Sequence, residues 1–454
     1  MDITEKTYLA HGDPSLEISD KELDELFSAA LSRAISDLNN TGPVIIIPPD
    51  ITRIHSRGGF LTDVASRELE QRGNNRLGTS DSKVASDRQI AILPALGTHM
   101  ALTAAELDRM FPNSPKEKFL VHDWRNDLCE LGRLDRDWVH EVTEGAVNYD
   151  WPVQVNKLLQ NETIPLIISI GQVVPHEVAG MANHLKNIFI GTGGKEAIDK
   201  SHFAGAAYGM EKIMGQIDTP VRALFDEGFR RFGNQLPPVL WVLTVADSHA
   251  VRGLYIGFGR ECFEKAAALS RKVNVNIVEK SIQKAVVYLA PEEFRSTWLG
   301  NKAIYRTRMA MAEGGELLIL APGLERFGED RSVDALIRKH GYRPKTEIMD
   351  RSSADAELGD NLCAAAHLIH GSSEGRFTIR YCPGIVNDSS RGLSQKEIES
   401  VGFEWGDLQT EASRYDITKL RLGWNLQSNG EKIFFIPNPA LGLWTEKQHN
   451  AERR

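Results

Sequence analysis

Residues 175–203 read PHEVAGMANHLKNIFIGTGGKEAIDKSHF. This one segment crowds together three histidines (His176, His184 and His202), a lysine in apolar company (Lys186) and a Gly-Thr-Gly-Gly turn. Histidine titrates near neutral pH and can give or take a proton. A lysine pressed among apolar residues can be desolvated into a nucleophile, and a glycine-rich turn ahead of a helix offers backbone N–H groups to a phosphate. Each feature also has a plainer reading. A single histidine is often hydrogen-bonded structure, a lysine commonly snorkels to the surface, and GTGG fits neither the P-loop nor the dinucleotide fingerprint. The sequence has no HExxH and no tight three-histidine cluster of the kind that holds a catalytic zinc.

The elements that must position these residues are legible in the apolar runs. IPLIISIGQVVPH (164–176) belongs to a set with GPVIIIPPD (42–50), QIAILPALGTHM (89–100) and PPVLWVLTVADSH (237–249). Continuous apolar runs of this length suit strands buried on both faces of a parallel sheet. Amphipathic stretches follow them, and TAAELDRMFP opens on a capping box of Thr103 and Glu106. This alternation predicts an α/β fold. Ligands of open α/β sheets bind at the carboxyl ends of strands. The strand ends supply Asp50, Thr52, Arg53 and His55, then Thr98 and His99, then His176, then Asp247 and His249. One histidine means little; one near the end of each of several strands favours a site.

A second block follows the helical GRECFEKAAALSRKV (259–273). VNVNIVEK, KAVVYLA, ELLILAPG, GRFTIRYCPG, SVGFEW and KIFFIPNP read as strands, and NKAIYRTRMAMAEGG and DRSVDALIRKHGY as helices. We therefore expect two α/β domains, 1–270 and 271–454, with mostly parallel sheets and an active-site cleft between them. The chain of 454 residues, 41% hydrophobic and 25% charged, has the composition of a soluble globular protein. A net charge of −9 argues against nucleic-acid or membrane partners, which need clustered Lys and Arg. The scattered Cys129, Cys262, Cys363 and Cys382 read as reduced thiols. The polar N-terminus reads as no signal peptide, and no apolar run is long enough to span a membrane. The expected location is the cytoplasm; oligomeric state stays open.

The motifs PDITR (49–53), GTH (97–99) and the stretch from His176 through Lys186 to His202 resemble the nickel-dependent lactate racemases and related 2-hydroxyacid racemases and epimerases. In that family a strand-end histidine is followed ten residues later by a lysine and sixteen after that by another histidine, and both spacings are kept here. The resemblance implies that Lys186 tethers a nickel-pincer nucleotide, a pyridinium mononucleotide with two sulfur-bearing arms. It implies that His202 ligates the nickel, that His99 and His176 are the acid–base pair, and that cofactor-biosynthesis enzymes are partners. Asp50 and Arg53 match an Asp-x-x-Arg that holds cofactor and substrate. Thr52, Gly193 and Gly194 fall to the cofactor, Arg53, Trp298 and Lys302 to the substrate. The likeness covers roughly residues 40–320 and has departures. The family's SGG before the lysine is MANHL here, its Tyr-Gln is Trp298-Leu299, and an insertion (72–87) separates Arg53 from His99. A 2-hydroxyacid longer than lactate or differently substituted, sugar acids included, is the expected preferred substrate.

The chemistry agrees with the residues. A Cα proton beside a carboxylate is weakly acidic, whereas removing that hydrogen as hydride leaves a flat 2-ketoacid open on both faces. Side chains cannot accept hydride, so a cofactor must. A base near the hydroxyl and a cation for the carboxylate complete the requirement, and sulfur arms with one imidazole suit square-planar nickel. The alternative is a metal-dependent or cofactor-free lyase or dehydratase of sugar acids using the same two histidines.

Overall fold

The computed structural model describes residues 5–39, 42–75, 90–384 and 392–447, so most of the 72–87 insertion lies outside the described residues. The chain forms two compact units, Met1–Ser201 with Ile213–Asn274, and His202–Lys212 with Val275–Arg454.

The first unit is built on a six-stranded sheet in the spatial order Thr7–Gly12, Val251–Gly257, Val239–Ala246, Leu166–Gln172, Val44–Ile47 and Ile90–Ile92. The last four are mutually parallel; Val251–Gly257 runs against both of its neighbours. Val44–Ile47, Leu166–Gln172 and Val239–Ala246 are buried at every residue, which is why their sequences are apolar without alternation. One face is covered by helices Asp20–Asp37 and Gly58–Asn75, whose Leu23, Phe27, Leu31, Leu61 and Val64 pack on Ile46, Ile168 and Val242. Each such side chain contributes about 1.5–3 kcal/mol by leaving water. Thr103 and Glu106 form the expected capping box.

The second unit carries another six-stranded sheet, ordered Glu404–Trp405, Thr378–Pro383, Met311–Ala321, Ile282–Tyr288, Lys432–Ile436 and Gly423–Leu426. Every pairing is parallel except the last. The fold is therefore α/β with mostly parallel sheets. One reading needs correction. NKAIYRTRMAMAEGG is helical only over Lys302–Thr307; its second half already belongs to the strand Met311–Ala321. The Ala- and Met-rich stretch has helix propensity, but the strand is paired on both sides and begins across a register shift, with Gly314 at φ 68°. VNVNIVEK yields Val275–Val278, which pairs with Leu443–Glu446 in a separate two-stranded sheet. Among the described residues, no helix is long and apolar enough to cross a membrane.

Candidate active site

Four parallel strands of the first unit end on the same side, and the chemistry gathers there. Beyond Val44–Ile47 the chain turns through Pro48 and Pro49, and beyond Ile90–Ile92 a loop runs beside it, with Ala95 N–H donating to Pro48 O at 2.8 Å. That pairing sets the GTH turn next to Asp50. Gly97 must take φ 56°, its N–H reaches Gly191 O at 2.8 Å, and a Cβ would come within 3.1 Å of Ile190 O, so glycine is required.

Asp50 caps the 3-10 turn Ile51–Ser56, its Oδ1 accepting from Thr52 N (3.1 Å) and Thr52 Oγ1 (2.5 Å). Its Oδ2 lies 2.8 Å from His99 Nδ1. Burial raises the Asp50 carboxyl, but hydrogen bonds from His99 and Thr52 and the charge on Arg53 prevail and hold it down to about 2. An ionised carboxylate at Nδ1 fixes a ring proton on that nitrogen, so in the uncharged ring Nε2 is the bare nitrogen. The His99 side chain is 51% exposed, so that nitrogen can be reached.

His176 is wired the other way. It lies in the short hairpin pairing Pro175–His176 with Gly180–Met181, buried, and its Nδ1 accepts from Val178 N (3.1 Å) and Ala179 N (3.4 Å). With two amides donating to it, Nδ1 is an acceptor, which puts the ring proton on Nε2. In this geometry His176 is a hydrogen-bond donor; taking a proton at Nε2 would mean giving up both amide bonds.

Lys186 sits on the short helix Leu185–Phe189, which Asn187 ties to the strand ends through Ser169 Oγ (2.9 Å) and Ile47 O (3.4 Å). Its side chain is only partly buried, but the amine is crowded by protein. Burial foremost lowers its pKa to about 8; Arg53 and Arg222 add to the shift, and Glu177 and Asp50 oppose it. At neutral pH about a tenth of such amines are unprotonated, a few hundredfold more than for an ordinary lysine. These influences bring Lys186, Asp50, Arg53 and Glu177 into one another's field.

The other candidates divide. The GTGG turn is closed on itself: Gly191 N–H goes to Lys186 O (3.1 Å), Thr192 N–H to Ile188 O (3.1 Å) and Gly193 N–H to Ile190 O (3.4 Å), while His122 Nε2 is 2.9 Å from Gly193 O. A Cβ on Gly194 would meet Gln154 Oε1 at 2.4 Å. His202 lies on helix Lys195–Tyr208, about two turns in, where the chain passes from the first unit to the second. Asp247 is structural, accepting from His249 N, Ala250 N and Arg252 Nε. His55 and His249 are exposed. His184 is no site residue, being buried between Trp241 and Phe263.

In the second unit Trp298 and Lys302 lie on consecutive short helices, Thr297–Gly300 and Lys302–Thr307. The Trp298 ring packs 4.4 Å from His367, whose Nδ1 meets Tyr305 OH at 2.6 Å and whose Nε2 meets Tyr342 OH at 2.9 Å. Thr297 donates its hydroxyl to Phe327 O (2.9 Å), so it must accept from Tyr342 (2.7 Å). Tyr342 then accepts from His367 Nε2–H, and Nδ1 accepts from Tyr305. Sequence reasoning missed this network, and it missed Arg222, whose guanidinium is buried in the first unit. Arg222 had a signal: a cation on the apolar stripe of PVRALFDEGFRRF, beside buried Val221, Leu224 and Phe225.

Residues 2–213 match the family model described as the lactate racemase N-terminal domain. Over that stretch, just under half of its length, the chain is similar to that domain. The matched stretch contains Asp50, Arg53, His99, His176, Lys186 and His202. A crystal structure of a structural-genomics target from Thermotoga maritima superposes with a TM-score of 0.75 at 23% identity, covering 97% of this chain and 100% of that one. The lactate racemase apoprotein from Thermoanaerobacterium thermosaccharolyticum superposes with a TM-score of 0.68 at 15% identity, covering 98% of this chain and 96% of that one. At these identities the likeness is one of fold. Among curated proteins no sequence matches.

Proposed function

We propose that the protein is a racemase or epimerase of a 2-hydroxyacid, working with a nickel-pincer nucleotide carried on Lys186. The observation that supports this most is the setting of Lys186 inside the stretch similar to the lactate racemase N-terminal domain: an amine with a lowered pKa, beside Arg53, Asp50 and Glu177, at the carboxyl ends of parallel strands. Among the described residues no three His, Cys, Asp or Glu gather as a metal set. A pincer nucleotide brings two sulfur donors of its own, so the single imidazole of His202 is a donor set that fits it.

When bound, the nucleotide supplies the hydride acceptor that no side chain can be. The chain's own residues do the rest. His99, backed by Asp50, takes the hydroxyl proton at its bare Nε2 and returns it. His176 donates Nε2–H to the substrate oxygen. Arg53 holds the carboxylate, and Thr52, Gly193 and Gly194 border the nucleotide. Trp298-Leu299, where the family has Tyr-Gln, replaces two polar partners by an apolar pair; this favours a 2-hydroxyacid longer than lactate, of the sugar-acid kind.

Two measurements test the reading. Intact-mass and peptide mapping of protein produced with the cofactor pathway should find an adduct of several hundred daltons on Lys186, together with nickel. Racemisation in D2O should leave the Cα hydrogen unexchanged, because hydride returns to the carbon it left. Deuterium uptake at Cα, or elimination of water from a sugar acid by unmodified protein, would overturn the proposal in favour of proton-transfer or lyase chemistry.

A further inference from the structure

Two consecutive non-glycine residues, Asn183 (φ 67°) and His184 (φ 58°, ψ −137°), occupy left-handed backbone immediately before the helix of Lys186. Asparagine tolerates this region; a histidine with a bulky ring does so only when its surroundings compel it. Glycine would take both positions without strain, and the family's SGG is what MANHL replaces here.

The surroundings do compel it. The His184 ring is 4% exposed, stacked on Phe263 at 4.9 Å and 14° and tilted against Trp241 at 4.3 Å. Its Nδ1 finds no hydrogen-bond partner among the described residues. Burial first, then the charges of Arg222 and Arg260, keep the ring neutral. The ring is therefore held by its faces. Beside it the buried Arg222 grips the carbonyls of Met181 (2.6 Å) and Asn183 (3.3 Å) and lies 4.7 Å from the centre of the Phe263 ring. Asn183 Oδ1 accepts from His184 N at 2.6 Å. Slot, clamp and turn all fix the chain two residues before the Lys186 Cα.

We infer that His184 is a positioning residue: its ring, locked between Trp241 and Phe263, holds residues 183–184 in glycine-type backbone geometry and thereby sets where the Lys186 amine points. The inference rests on the reading of Lys186 as the reactive lysine. The charged groups around that amine are Arg53 and Asp50 from the strand-end turn, Glu177 from the hairpin and Arg222 from helix Pro220–Phe232, so a change of aim changes the field it feels.

The test is amine acylation of the full-length protein made without the cofactor pathway, with Lys186 followed by peptide mass spectrometry from neutral to strongly alkaline pH. Wild type and His184→Phe, which keeps a flat ring in the slot, should label with a midpoint near 8. His184→Ala and His184→Gly should move it upward by about one unit or more, toward the ordinary 10.5. Glycine relieves the backbone strain and should melt above alanine, so it carries the test if alanine folds poorly. A glycine variant whose midpoint stays near that of wild type would overturn the inference, as would a wild-type midpoint near 10.5. Absence of a Lys186 adduct in cofactor-loaded protein, with the midpoints moving as expected, would overturn only the tether.

Discussion

His99 and His176 end two strands of one sheet and are equivalent on paper, yet their rings are set in opposite senses. A carboxylate faces Nδ1 of the first and two backbone amides face Nδ1 of the second. The first ring carries its proton on Nδ1 and the second accepts at Nδ1, so its proton sits on Nε2. His367, in the second unit, is a third case, with both nitrogens engaged by tyrosine hydroxyls. The protein decides what a histidine can do through the nitrogen turned away from the chemistry. A histidine with neither nitrogen spare stabilises the fold.

The largest effect should separate the first two. In cofactor-loaded enzyme, His99→Ala should lower the racemisation rate about 10²–10⁴-fold in both directions. His176→Ala should cost about 10²-fold, the loss of one donor, and His176→Gln, whose amide still donates, should recover part of it. A glutamine variant as impaired as alanine would break the asymmetry and restore two equivalent acid–base groups.

Stability measurements sharpen the contrast with the closed network. Tyr342→Phe strips the acceptor from His367 Nε2–H and the donor from Thr297. Unfolding in denaturant should show a loss of about 1–3 kcal/mol, the cost of a stranded buried polar group; no loss would mean that the chain of hydrogen bonds adds nothing. Lys186→Met should do the opposite and raise stability at neutral pH by about 1–2 kcal/mol, because a crowded ammonium is retained at the expense of the fold. The sign follows from a folded pKa near 8 against 10.5 in the unfolded chain. The penalty is fully present below pH 8, fades between those values and is gone above them, so the gap between variant and wild type should close as pH rises. A gap independent of pH would mean that the amine is not crowded.

The sheet and much of the site were legible because parallel strands buried on both faces are written as unbroken apolar runs, and their carboxyl ends can be counted off. Asp50, Arg53 and His99 were singled out that way, and the contact of Asp50 with His99 is fixed by loop pairing beyond the strands. Spacing said nothing of tautomers, because the groups facing Nδ1 of His176 are amides of a turn whose conformation no pattern encodes. His184 looked like a site residue because its slot is made by Trp241 and Phe263, which meet it only in the folded chain. The His367 network escaped for the same reason. The strand at Met311 was obscured by helix-forming residues that pairing on both sides overrides.

The path of the backbone sets a constraint on how the protein is made. The strand Thr7–Gly12 finds its partner only at Val251–Gly257, and the chain has by then already spent residues 202–212 on the second unit. That short excursion is fastened by Glu211 to the buried Arg308 (2.5 Å) and by Lys345 Nζ to Ala207 O (3.1 Å), both supplied far downstream. On the ribosome the earliest strand therefore waits as an unpaired edge, and the excursion waits for anchors not yet synthesised. The two units are interlaced in time as well as in sequence: no point of chain release short of the second half yields a finished body, and maturation is a late event with a high burden of non-local contacts.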